Sequence, residues 1–508
     1  MSLPLYLWNI KEDIRRYAKE YGLDFFEVVF EVVSNDKINE IAAYGGFPVR
    51  YPHWRFGMDY ERMAKSHLYG LHKIYEMVIN NDPCYAYLVE GSSDIDYKLV
   101  MAHVYAHSDF FKRNMWFSHT NRKMMDEMAN HATRVRRYVD RYGVDRVERF
   151  IDACLSLDSL IDYHFPGVSA TAESKDAGAG EERGVADHRF PVQTPEYMES
   201  YMYPQEYVDA ARRKRERERR KVLRVPASPV KDVLGFLVAY APLEEWERDI
   251  VSIVREEALY FAPQGQTKIM NEGWAAYWHS KILTQKALAA SEIVDFADHH
   301  SMAVAVHGFQ INPYKLGLEL FRDIEERYDR GRFGKEWDEC TDLRQRRLWD
   351  RRLGLGREKI FQVRSIYNDV AFIDEFLTPQ FCMDHKLFTW TYKEEYDKYI
   401  IDSTEFAKVK ESLLTAITNF GHPVIHVTDS NFRNRNELLL RHTHEERDLD
   451  VKYAREVLRN LAQVWKRPVH VLTVSAGKPE LWSHSGREFT QQKYSGLEET
   501  PQPEDEEG

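Results

Sequence analysis

Apolar residues recur three and four apart over 11–33, KEDIRRYAKEYGLDFFEVVFEVV, and over 60–80, YERMAKSHLYGLHKIYEMVIN, the spacing of one helix face. Residues 1–165 are therefore expected to be chiefly helical. AAYGGFPVRYPHWRFGMD joins the two runs as a Gly/Pro/aromatic connector, whose Tyr51, His53, Trp54 and Arg55 either line a ligand surface or pack over the helices. NDPCYAYLVEGSSD reads as the one short strand of this part, with Tyr85, Tyr87 and Val89 alternating. YKLVMAHVYAHSDFF has apolar residues on both sides and no Gly or Pro, so a buried helix is expected there. A second helical block spans 227–375. In it, PLEEWERDIVSIVREEALYFAPQ opens at Pro242 and is expected to end at Pro263 and Gly265. Thr267 then caps TKIMNEGWAAYWHSKILTQKALAA, while Asn312 and Pro313 start a further helix.

The pattern changes after 375. HPVIHVTDSN, ELLLRHTHEE and RPVHVLTVSAGKPELWSH read as strands, and LDVKYAREVLRNLAQVWK as an amphipathic helix between two of them. The fold class is mainly α with a smaller α+β C-terminal unit over 376–490. Two stretches lack core-forming pattern: a Gly/Ala-rich insertion and linker at 166–226, and an acidic tail at 491–508. The linker ends in RRKRERERRKVLR, 212–224, which is either a patch for an anionic partner or a solvated helix whose Arg pair with Glu216 and Glu218.

The chemistry sits in two helices far apart in sequence. His103 and His107 are four apart, and Glu272 and His279 are seven apart, about 20° around a helix. Ala275, Ala276 and Gly273 are small, which leaves room for an ion or for close approach of another helix. Imidazole and carboxylate suit zinc, iron or manganese. The same residues also suit a buried polar network that holds helices in register. Position 104 is Val, so this is not the HExxH of zinc peptidases. A base would have to come from elsewhere, Glu257 or Asp109. A third cluster, DHHSMAVAVH, offers His300, with His307 on the same face and His299 turned away. In the C-terminal unit, His442 and His444 alternate onto one strand face, as exposed polar residues or as a metal or anion site.

Composition narrows the classes. In 508 residues, 43% are hydrophobic, enough for two or three cores, and the net charge of −12 disfavours nonspecific nucleic-acid binding. No apolar run approaches the ~20 residues needed to span a bilayer, and the N-terminus lacks a basic region before its first acids. Cys84, Cys154, Cys340 and Cys382 are scattered, which fits a reduced cytoplasm and neither a disulfide framework nor a CxxC site. SAGKPE lacks the spacing of a phosphate loop, Gly354 and Gly356 have no third glycine, and no GxSxG occurs.

The segments HVYAHSDFF, KIMNEGWAAYWH, DHHSMAVAV and NPYKLGLELFRDIEERYDRG, with LWNIKEDIRRYAKEYGLDFFEVVFEVV near the start, closely resemble the stage V sporulation protein R family, from about residue 6 to about residue 475. The resemblance implies a bacterial cytoplasmic protein associated with spore cortex formation or stress physiology. It also implies gene neighbours encoding a PrkA-type serine protein kinase and a von Willebrand factor A-like protein. It transfers no biochemical activity. Two functions are therefore expected in parallel. One is a metal-dependent hydrolase with His103, His107 and Glu272 as ligands, His279 or His300 completing or supporting the site, and Glu257 as base. The other is a regulatory or scaffold protein acting with those two partners.

Overall fold

The computed structural model describes residues 3–68, 76–164, 225–305 and 311–494. Nearly all of the expected 166–226 insertion, its basic run, His307 and the acidic tail from 495 lie outside the described residues. The fold is mainly helical with a C-terminal β-sheet unit. No helix among the described residues is long and apolar enough to cross a membrane. Contacts divide the chain differently from the linear series of segments expected: one unit is Met1–Glu148 with Tyr260–His422, the other Arg149–Leu259 with Pro423–Gly508.

In the first unit, helix α1 (Leu5–Glu20) stops at Tyr21 because Gly22 takes φ +85°. The expected continuation of this helix does not form: Val28–Val33 is strand β1. VVFEVV is short, apolar at five of six positions and β-branched at four, so helical spacing cannot be told there from a half-buried strand. The second helical run is likewise a strand at its end, β2 (Glu76–Ile79). With β3 (Cys84–Val89) they form a sheet of order β1-β3-β2, in which β1 runs parallel to β3 and β2 antiparallel.

Helix α2 (Asp94–Arg113) starts with a capping box, Ser93 and Asp96, and is buried almost all round from Ile95 to Phe111. Helix Glu245–Gln266 runs through Pro263, which removes only one N–H near the helix end, rather than stopping there. Thr267 does stand at the N-cap of α3 (Lys268–Ile282), but its hydroxyl bonds Pro263 O at 2.7 Å instead of capping. The cap comes from another helix. α6 (Gly356–Ile366) is followed by α7 (Asp369–Phe376), and the Asp369 carboxylate accepts the N–H groups of Ile269 and Met270 at 2.8 and 2.9 Å. Between α3 and these lie α4 (Ile293–Ala303) and α5 (Pro313–Asp329), the latter capped by Asn312 as expected.

α3 crosses α5 at two glycines. A Cβ on Gly273 would lie 2.4 Å from Gly317 Cα, and one on Gly317 would lie 2.1 Å from Ile269 O. Gly273 thus serves backbone contact between helices. A hairpin, β4 (Thr389–Lys393) with β5 (Lys398–Ser403), also belongs to this unit.

The second unit carries a sheet of order β10-β9-β8-β7-β6, from β6 (Val424–Phe432), β7 (Glu437–Thr443), β8 (Val469–Ser475), β9 (Lys478–His484) and β10 (Phe489–Lys493). β7 and β8 are parallel and are joined through α8 (Val451–Trp465). Leu458, Leu461 and Trp465 of that helix are buried, as are Leu438, Leu440, Val469, Val471 and Trp482 of the strands.

Candidate metal centre

His103 and His107 lie one turn apart on α2 because a spacing of four brings side chains onto one helix face, and that face is turned towards α3. Their Nε2 atoms are 3.6 and 3.5 Å from the same oxygen, Glu272 Oε2, on the first turns of α3. Among the described residues, these three form the one group of His, Cys, Asp or Glu whose ligand atoms all lie within 4.8 Å of one another. The histidine side chains are 5% exposed and that of Glu272 is 20% exposed.

The other ring nitrogens decide what these distances mean. His107 Nδ1 donates to Asn271 Oδ1 at 2.9 Å, so in the neutral ring Nε2 presents a lone pair to the Glu272 carboxylate. Glu272 Oε2 is buried and accepts no hydrogen bond. Two acceptors therefore face each other at 3.5 Å. A protonated imidazole would close to the ~2.8 Å of a charge-assisted bond. Ligand atoms each ~2.05 Å from a tetrahedral ion stand ~3.3 Å apart, close to what is seen.

His103 Nδ1 meets His279 Nδ1 at 2.9 Å, and His279 Nε2 meets His300 Nδ1 at 3.1 Å. If His103 donates to His279 and His279 to His300, every ring keeps one proton and His103 Nε2 keeps its lone pair for the centre. Burial holds His279 well below the ordinary histidine value, with the neighbouring rings His103, His300 and His107 acting the same way. His279 and His300 thus support His103 from behind. His299, expected to turn away, lies 2.8 Å from Asp96 Oδ1 at the start of α2. Together with Lys98–Glu292 at 2.8 Å, it ties α4 to that helix.

Neither candidate base belongs to the three-residue group. Asp109 is fully buried, and both its oxygens are engaged, by Trp274 Nε1 at 2.9 Å and Asp24 N at 2.8 Å. Burial raises it to about 6 against the nearby Arg364 charge. It is a structural anchor. Glu257 is buried on Glu245–Gln266 and falls in the second unit. Sequence reasoning missed Asn271, which orients His107, and Tyr314, whose ring stacks on His103 at 6.0 Å and 23°. Both partnerships join residues more than a hundred positions apart, and no local pattern announces them. In the sheet, His442 is buried and its Nδ1 pairs with the Thr473 hydroxyl at 2.9 Å, while His444 Nε2 bonds Asp448 at 2.8 Å.

A multi-helix body with a buried His/Glu cluster and an α+β unit at its C-terminal end is the class that fold and site define. The chain matches the family model described as SpoVR like protein over residues 4–422, and that of the SpoVR-like C-terminal domain over 423–476. It belongs to the SpoVR family, and the junction between the two matches falls where the contacts divide, at His422 and Pro423. A protein of Escherichia coli (strain K12), called uncharacterized protein YcgB, is 30% identical over 491 residues, covering 89% of each chain. No solved structure matches.

Proposed function

We propose that this protein is a metal-dependent hydrolase whose divalent transition ion (zinc, iron or manganese) is held by His103, His107 and Glu272. The observation that carries this reading is the convergence of three ligand atoms, with His103 Nε2 and His107 Nε2 standing 3.6 and 3.5 Å from one buried oxygen of Glu272. Three protein ligands leave a position open, as catalytic rather than structural sites do. An ion there would supply a Lewis acid and a water of lowered pKa. Asn271 and His279 fix the ligand rings, the support that metal-binding histidines commonly receive. Glu257 is the candidate base outside the group; a Glu257→Gln variant that keeps its metal but loses turnover would assign it that role. In the context the family resemblance supplies, the substrate class is an amide or peptide bond of a cell-wall precursor.

Elemental analysis of protein purified without chelators tests the centre. About one equivalent of a transition metal is expected, lost in a folded His103→Ala/His107→Ala variant. A metal-free wild type would instead favour the scaffold reading, with the PrkA-type kinase and the von Willebrand factor A-like protein as partners.

A further inference from the structure

The second unit holds another constellation, independent of the metal reading. Glu437 on β7, His470 on β8 and Ser483 on β9 occupy one face of three adjacent strands. Register places them there: His470 is opposite Leu439, two residues on from Glu437, and is directly paired with Ser483. His470 Nε2 donates to Glu437 Oε2 at 3.0 Å, which leaves the lone pair on Nδ1, 2.7 Å from Ser483 Oγ. The acid and the imidazole are 7% and 5% exposed, whereas Ser483 is only half-buried. The hydroxyl is thus the most accessible member of the chain. The Phe432 ring, 5.0 Å from that of His470, packs against the imidazole. Arg435 Nη1 stands 3.8 Å from Glu437 Oε1, and the charges of Arg433 and Arg435 both reach His470.

We propose that Ser483 is a nucleophile for acyl transfer, with His470 as its general base and Glu437 as the residue that positions the base. A hydroxyl, a neutral imidazole and a buried carboxylate in hydrogen-bonded series are the parts such chemistry needs. The ring here meets serine through Nδ1 rather than Nε2. The two are equivalent once the carboxylate holds the proton on the far nitrogen. Burial keeps His470 below the ordinary histidine value, so it is neutral and proton-accepting near pH 7. Arg433 and Arg435 favour an acyl ester that carries negative charge. As Ser483 Oγ bonds the carbonyl carbon, its proton passes to His470 Nδ1. The ester C–O bond breaks and the alcohol leaves with that proton. Water repeats the exchange, releasing the acid and restoring Ser483.

Diisopropyl fluorophosphate applied to the full-length protein tests this. The Ser483 Oγ–P bond would form as P–F breaks and HF leaves. The expected result is one adduct on the peptide containing Ser483, absent in Ser483→Ala. His470→Ala should slow labelling by about a hundredfold. Glu437→Gln should slow it too, and Glu437→Asp should restore part of the rate, which a merely structural carboxylate would not do. Because His470→Ala can weaken the sheet, the small Ser483→Ala change is decisive alone. No adduct at Ser483 in folded wild-type protein, or equal labelling of Ser483→Ala, would overturn the proposal.

Discussion

His103 and His107 of the helical body and His442, His470 and His484 of the sheet are all buried, and they are wired in different ways. In the sheet each ring meets a group of complementary kind: His470 lies between a carboxylate and a hydroxyl, His442 pairs with Thr473, and His484 Nδ1 accepts from Gly486 N. In the body, Asn271 Oδ1 holds His107 Nδ1, while the Nε2 atoms of His107 and His103 converge on a single carboxylate oxygen. A complete hydrogen-bonded network holds strands in register or moves a proton along it. An incomplete one, with acceptors converging on a point, is stabilised by a cation. Burial alone does not separate these cases; the fate of each ring proton does.

The widest contrast is expected on metal. At a zinc concentration near a hundred times Kd, binding adds about 2.7 kcal/mol to stability. Thermal unfolding of wild-type protein should shift upwards with zinc, and His103→Ala/His107→Ala should abolish the shift. His442→Ala should leave it intact. A zinc response that follows the sheet histidines instead would reverse the comparison.

Next in size is the ring support. Asn271→Leu removes the acceptor for His107 Nδ1–H and should weaken metal binding by about 10- to 100-fold, read by competition with a chromophoric chelator. Thr473→Val removes the matching partner of His442 and should cost about 1 kcal/mol of stability without changing metal affinity.

The glycine crossing gives a third test. Gly273→Ala sets a methyl against the Gly317 backbone, and separating α3 from α5 should cost about 1–3 kcal/mol. Glu272 is the preceding residue, so metal affinity should fall along with the melting temperature.

Local spacing carried much of the site. HxxxH on one helix, with Glu272 and His279 on another, follows from helix geometry alone, whereas the apolar SMAVAV that favours His300 over His299 is in fact exposed at Met302 and Ala303. Pairing between distant segments was not legible. Asp369 caps α3 from a hundred residues away, Asn271 reaches His107 across two helices, and Gly273 has its reason in Gly317. VVFEVV misled for a related cause. So short and largely apolar a run takes its structure from the strand it pairs with, here β3, and not from its own period. The Ser483 chain escaped notice because its three members come from strands that only register brings side by side.

The smallest expected effect concerns acid. Burial lowers His442, His470 and His484 below the ordinary histidine value; His444 adds to this at His442, and Glu437 opposes it at His470. A histidine depressed in the folded state takes up its proton more readily when unfolded. The stability it contributes is fully present above about pH 6.5 and is lost as pH falls through the folded value. Amide hydrogen exchange of β7 to β9, corrected for intrinsic rates, should therefore speed up as pH falls from about 7.5 to about 5.5. A Glu437→Gln variant sharpens the point. Without the carboxylate, His470 loses the one partner that favours its protonated form, so the sheet should open at least as readily in acid. A sheet whose exchange is indifferent to pH over this range would mean that its histidines titrate alike folded and unfolded. Their difference from the body's histidines would then be one of geometry without energetic consequence.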